Sequence, residues 1–195
     1  MKSFNEIYNM NEIEEFHLQR MDKHISKVKK YLLEFTNSDL SKELNFSKRD
    51  AIELGNKHDQ DKIEGDLFEQ YKYISWLYKC KLAEVPCDIP YTEDMDKATT
   101  AHIRNNKHHP EYWDPNFTPQ VVTDFNQRDS TKLKSRDGRK MPVAHIIEMC
   151  CDWKATSEER GNKAVDWAYK CLRDKRYIFT DNQWDLIYRI LGIID

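Results

Sequence analysis

Apolar residues recur along the first part of the chain at helical rather than alternating spacing. Ile13, Phe16, Met21, Ile25, Val28, Leu32 and Phe35 fall on one stripe, which predicts a helix over roughly 11–36. Asn11 followed by Glu14 has the form of a capping box that would start it. The polar stretch 37–46 (NSDLSKELNF) breaks the pattern and is expected to be a connection. Ser47, with Asp50 three residues on, offers an N-cap for a short helix that Gly55 would end. Leu67, Tyr71, Ile74, Leu77 and Tyr78 mark the core face of a third helix over 65–82, followed by a proline-bracketed loop, VPCDIP. Thr92 can cap a fourth helix, whose acidic first residues suit the positive end of its dipole and which must stop before Pro110.

The periodicity lapses over 110–141, a run with several prolines and the polar tract NQRDSTKLKSRDGRK. A loop of this length inside a compact domain usually serves as a lid or binding segment. Arg128, Lys132, Lys134, Arg136, Arg139 and Lys140 would suit a lid over an anionic substrate; the competing reading is a solvated loop. Helical spacing returns over 142–160, in KAVDWAYKCLRD, and in DNQWDLIYRILGIID with Asp181 as its cap. The expected fold is therefore all-α. It is one bundle of about six or seven helices spanning 1–195, with a long loop between the fourth and fifth main helices.

Composition agrees with that reading. Five Gly and six Pro against 33% charged residues describe helices joined by loops, not a sheet with many tight turns. The formal net charge of −3 gives no field that would draw in a long duplex nucleic acid or an anionic membrane, so an anionic ligand would have to be bound locally. Cys80, Cys87, Cys150, Cys151 and Cys171 form no CxxC pair, and an odd count suits reduced thiols in a cytoplasmic setting. The N-terminal residues hold no uninterrupted apolar run, and no segment approaches the roughly 20 apolar residues of a membrane span.

The seven histidines gather in a few segments: His17 and His24, His58, the group His102, His108 and His109, and His145. Imidazole with carboxylate is the usual ligand set for borderline divalent metals. His17 and His24 are seven residues apart, about 10 Å along a helix, so only one of them can share a metal with His58 and Asp59. His17, on the apolar stripe, reads as a hydrogen-bonded core histidine. His145, Glu148 and Asp152 follow i, i+3, i+7 on one helix face, beside the apolar Ile146, Met149 and Trp153. Carboxylates placed there would face a cation. Taken alone, Glu148 with Asp152 also suits an ordinary surface pair, and Asp59 with Asp61 a solvated turn.

The order His24, then His58-Asp59, then a His-rich segment, then Asp152 resembles the HD-domain superfamily of metal-dependent phosphohydrolases. More narrowly, HDQDKIE, AHIRNNKHHPEYW and MPVAHIIEMCCDWKA resemble an uncharacterised family of small HD-like proteins of phages and bacteria, over roughly His24 to Ala155. That resemblance implies that His24, His58, Asp59 and Asp152 bind a first metal. It further implies that His102 with His108 or His109 binds a second, Asp59 bridging, the ions being Mn, Ni, Zn, Mg or Fe. The narrower family carries Ser where Asp61 stands here, and His145 has no place in its pattern and reads as structural.

On this reading the partner is a small phosphorylated substrate such as a nucleotide. Asp59, Lys62 and Glu148 are the candidate catalytic residues, Glu148 either orienting a ligand histidine or accepting a proton from water. Lys62, Arg104 and Lys107 would contact phosphate, and Tyr112 and Trp113 would stack on a base. Two other functions suit the same residues: a di-iron oxygenase of HD type, and a non-catalytic module that binds a nucleotide or protein, such as a phage anti-host factor.

Overall fold

A computed structural model describes residues 10–194. The expected all-α class is observed. Helix α1 (Met10–Phe35) is the element the others pack around, and every third or fourth residue on its inner face is buried, from Ile13 through Met21, Ile25, Val28 and Leu32 to Phe35. The helix already runs at Met10, so Asn11 lies within it and does not cap it.

The segment expected to be a plain connection folds into a short helix, α2 (Asp39–Glu43), because Ser38 caps it and Leu40 drops into the core. Helix α3 (Lys48–Lys57) has the expected start: Ser47 and Asp50 form a reciprocal capping box. Its end differs from expectation. Gly55 lies inside the helix, where a Cβ would stand 2.7 Å from Cγ of Lys29, so this glycine permits close packing on α1 and does not stop the helix. A 3-10 turn (Gln60–Lys62) leads to α4 (Phe68–Leu82). Thr92 caps α5 (Glu93–Asn105) as expected, and α6 (Pro110–Trp113) follows within one turn.

The stretch 110–141 is not a free lid. Besides α6 and a 3-10 turn at Phe125–Gln127, it contains β1 (Arg136–Asp137), which pairs in parallel with β2 (Tyr177–Ile178) in the register Arg136 with Tyr177. Gly138 N donates to Ile178 O at 3.0 Å, and Arg136 is buried. Helices α7 (Val143–Glu159), α8 (Ala164–Arg173) and α9 (Asp181–Ile194) complete the chain. Thr180, not Asp181, caps α9: its hydroxyl accepts from Gln183 N, and Gln183 Oε1 accepts from Thr180 N. Nine α-helices are thus present among the described residues, seven of them of ten residues or more.

Two apolar clusters form. The C-terminal half of α1 packs with α2, α3, α7, α8 and α9 through residues such as Phe35, Ile147 and Ile190. The N-terminal half packs with α4 and α5 through Ile13, Ile74, Leu77 and Met95. All five cysteines are free thiols, and no described helix is long and apolar enough to cross a membrane.

Candidate metal centre

Between the two clusters lies a buried polar group. Helix α3 closes on His58, and Asp59 then takes the left-handed backbone conformation, at φ 56° and ψ 18°. Aspartate tolerates that region better than most residues, though it still costs about 1 kcal/mol. The turn swings the Asp59 carboxylate inward, where it is 1% exposed. His24 comes from α1, His102 from α5, His108 and His109 from the link to α6, and Asp152 from α7.

These side chains converge in two halves. In the first, His24 Nε2 lies 3.1 Å from Asp152 Oδ1, 3.4 Å from His58 Nε2 and 3.6 Å from Asp59 Oδ2. His58 Nε2 completes it, 3.8 Å from Asp59 Oδ2 and 3.9 Å from Asp152 Oδ1. In the second, Asp59 Oδ1 lies 3.3 Å from His102 Nε2 and 3.5 Å from His108 Nε2, while His109 Nε2 is 3.0 Å from His102 Nε2. Ligand atoms around an ion with bonds of about 2.1 Å are spaced about 3.0–3.4 Å apart, so both halves are near the right size for one. His108 and His109 both take part in the convergence, where only one was expected.

The hydrogen bonds behind the ligand atoms set their polarity. Glu148 accepts from Nδ1 of His58 (3.1 Å), His108 (3.4 Å) and His145 (3.1 Å). Asp61 accepts from His102 Nδ1 at 2.9 Å and from Asn106 at 2.7 Å. Protons assigned to Nδ1 in this way leave the Nε2 lone pairs of His102 and His108 facing inward. In the second half His109 Nε2 can donate to His102 Nε2, but the atoms facing Asp59 Oδ1, His102 Nε2 and His108 Nε2, are then acceptors. Asp59 Oδ1 and His108 Nε2 are buried with no hydrogen-bond partner, an arrangement that a cation relieves and a proton donor from the surrounding protein does not.

Electrostatics follow from this packing. Burial would raise the Asp59 carboxyl, but Lys62, His58, His102 and His108 together hold it well below the usual carboxylate range. Burial keeps His102 and His109 neutral, with their pKa values well below that of a free imidazole. His58 goes the other way: burial lowers it, yet Asp59, Glu148 and Asp152 outweigh burial and lift it to about 9. Burial raises Asp61. For Glu148, the three histidine hydrogen bonds overcome burial and hold the carboxyl far below its ordinary value.

A cavity of about 240 Å³ opens onto the centre, lined by His24, Asp59, His102, His109 and Asp152 and by Lys62, whose Nζ is 2.7 Å from Asp59 Oδ2. Its remaining walls carry Arg20, Tyr71, Tyr78, Arg128, Arg136, Arg160 and Arg176. Several expected contacts lie elsewhere. Arg104 is exposed and lies over the Phe117 ring, and Lys107 is exposed on the outer side of His108, because the chain turns at Asn106. Trp113 hydrogen-bonds back to Lys107 O, and Tyr112 is largely on the surface; neither lines the cavity. Glu148 reaches the Nδ1 side of the histidines, a position suited to orienting them, and does not line the cavity. His17 bonds Ser75 Oγ and Lys62 O as a core histidine.

The sequence reading missed Arg20 and Arg160 as cavity residues, although helical spacing could have found them. Arg20 stands four residues before His24, and Arg160 eight residues after Asp152, each on the same helix face or its continuation. Tyr71 was assigned only to the core, and nothing local marks it otherwise.

Fold and cluster together define a class: an all-α protein that buries a two-part histidine and carboxylate group able to hold a metal ion. The chain belongs to DUF5662, a family of unknown function, whose model matches residues 13–192. No curated protein and no solved structure matches the chain.

Proposed function

We propose that this protein is a metal-dependent phosphohydrolase of HD type, acting on a small phosphoester such as a nucleotide. The observation that carries the reading is Asp59, one carboxylate with an oxygen in each half of the histidine cluster, its Oδ1 buried and unpartnered beside a cavity lined by cations. His24, His58, Asp59 and Asp152 would hold one divalent ion, and Asp59, His102, His108 and His109 a second. Such ions lower the pKa of a coordinated water toward neutrality and neutralise charge on phosphoryl oxygens. Lys62, fixed against Asp59 Oδ2, presents its ammonium to the cavity and binds phosphate as a point charge. Asp61 and Glu148 hold the imidazoles in the tautomer that faces the ions.

The test is Asp59→Asn, with metal content and phosphate release from a panel of nucleotides and p-nitrophenyl phosphate measured together. Loss of both supports the reading, and full activity in the variant ends it. The same ligand types suit two irons and oxygen chemistry, but the arginine-lined cavity favours a phosphate. Oxygen uptake by iron-loaded protein with no phosphate release would replace the hydrolase with the oxygenase. A nucleotide mixture that is bound but returned unchanged, by mass spectrometry, would replace it with a binding module.

A further inference from the structure

The cavity holds more positive charge than its carboxylates use. Arg20 forks onto Glu159, Arg160 reaches Asp129 at 3.2 Å, Arg176 reaches Glu111 at 3.1 Å, and Lys62 reaches Asp59 at 2.7 Å. Arg136 and Arg128 make no ion pair among the described residues; Arg136 lies over the Phe117 ring with Nε and Nη1 unbonded, and the one held in place by hydrogen bonds is Arg128. Its Nε donates to Thr99 Oγ1 at 3.1 Å and its Nη1 to the Tyr78 hydroxyl at 3.2 Å, and no described carboxylate lies within ion-pair distance of it. Both partners are neutral, and Asp129 acts on the guanidinium only from behind the Tyr78 hydroxyl, which donates to it at 2.6 Å, so Arg128 is oriented without a direct ion pair.

Tyr71 stands between Arg128 and Lys62. The Arg128 guanidinium carbon is 5.8 Å, and Lys62 Nζ 5.1 Å, from the centre of its ring. The Tyr71 hydroxyl is buried, lines the same cavity and has no hydrogen-bond partner. Burial raises its pKa, so the phenol keeps its proton and remains a donor. A buried donor without an acceptor is rare in folded proteins and calls for a bound group. Here the missing acceptor would sit between a guanidinium with no direct ion pair and the lysine that touches Asp59.

We infer that Tyr71 and Arg128 form a second phosphoryl subsite, so that the cavity takes a ligand with two linked phosphoryl groups, one at the Asp59 cluster and the other against these two side chains. The first of those placements rests on the phosphohydrolase reading; the second rests on Tyr71 and Arg128 alone. Lys62 lies between the two positions and can touch both groups. The substrate class is then a compound with a phosphoanhydride-linked pair, and not a simple monoester.

The experiment is calorimetric titration of the metal-loaded full chain, at fixed free metal, with inorganic phosphate and with inorganic pyrophosphate. Pyrophosphate should bind at least about tenfold more tightly, the usual scale of a charge-assisted hydrogen bond. Arg128→Gln should remove most of that preference, and Tyr71→Phe should cut it severalfold, with metal content unchanged in both. Tyr71→Phe deletes a hydroxyl that bonds to nothing in the protein, so it keeps the test decisive even where Arg128→Gln fails to fold. Equal affinity for the two anions, or a preference that survives both variants, overturns the subsite. Monoester hydrolysis with equal affinities would sink the subsite and leave the hydrolase standing. A pyrophosphate preference lost in the variants, with no hydrolysis of any substrate, would support the subsite and sink the hydrolase.

Discussion

The two apolar clusters that meet along α1 differ in size and in what closes them. The one built with α3, α7, α8 and α9 contains 25 buried residues among those described, most of them aliphatic or aromatic, and seals on itself. The one built with α4 and α5 contains 10, and three of these, Tyr71, Ile74 and Tyr78, also form cavity wall. The larger cluster therefore holds a frame, with α7 presenting Glu148 and Asp152 from a rigid support. The smaller cluster forms part of the cavity wall and so meets open space on one side. A closed core and a cavity wall are thus divided along the length of one helix.

The strongest way to break this comparison is to load the proposed metal and then strip it. An ion present at a thousandfold excess over its dissociation constant contributes about 4 kcal/mol to folding. Chelation should lower the melting temperature, and hydrogen exchange should show α4 and α5 losing protection before α8 and α9. Uniform loss would mean that the two clusters are not separate. Next come core truncations. Ile147→Ala in the larger cluster should cost about 2–5 kcal/mol in denaturant unfolding and leave metal stoichiometry intact. Ile74→Ala, in the smaller cluster and on the cavity wall, should cost a similar amount and also weaken anion binding.

A finer probe is Glu148→Gln, which keeps the shape but weakens the acceptor behind three histidines. Metal affinity should fall about 10–100-fold by competition with a chelating dye. The metal-free protein should also report on His58. Its folded pKa, raised to about 9, exceeds the ordinary imidazole value, so its stabilising contribution is complete below about pH 6.5 and is lost as pH rises through about 9. Melting temperatures of the metal-free chain should decline over that window, and metal loading should flatten the curve. The smallest effect belongs to Ser47→Ala, which removes the α3 cap at a cost of about 1 kcal/mol and should leave the centre unchanged.

The sequence made the helices legible wherever one face was continuously apolar, as in α1, α4, α7 and α9. It misplaced Gly55 because a glycine at a close helix crossing looks, in one dimension, like a glycine at a helix end. The convergence of His24, His58, Asp59 and Asp152 could be anticipated only because their order resembles the HD pattern. Asp61 could not, since its meaning depends on His102 arriving from another helix. The polar neighbours of His102 and His109 were poor guides for a related reason. Adjacency along the chain does not fix direction, and the turn at Asn106 sends Lys107 outward while it brings His108 and His109 in. The cationic cavity wall came instead from α1, the end of α7, the 110–141 stretch and Arg176 just before β2, which sequence could list but not fold together.

Glu148 touches His58 from one half of the cluster and His108 from the other. With the proposed ions in place, fixing either imidazole fixes the carboxylate that orients its counterpart. The two halves would then load cooperatively rather than as independent sites, and by thermodynamic reciprocity each ion would strengthen the hold on the other by the same factor.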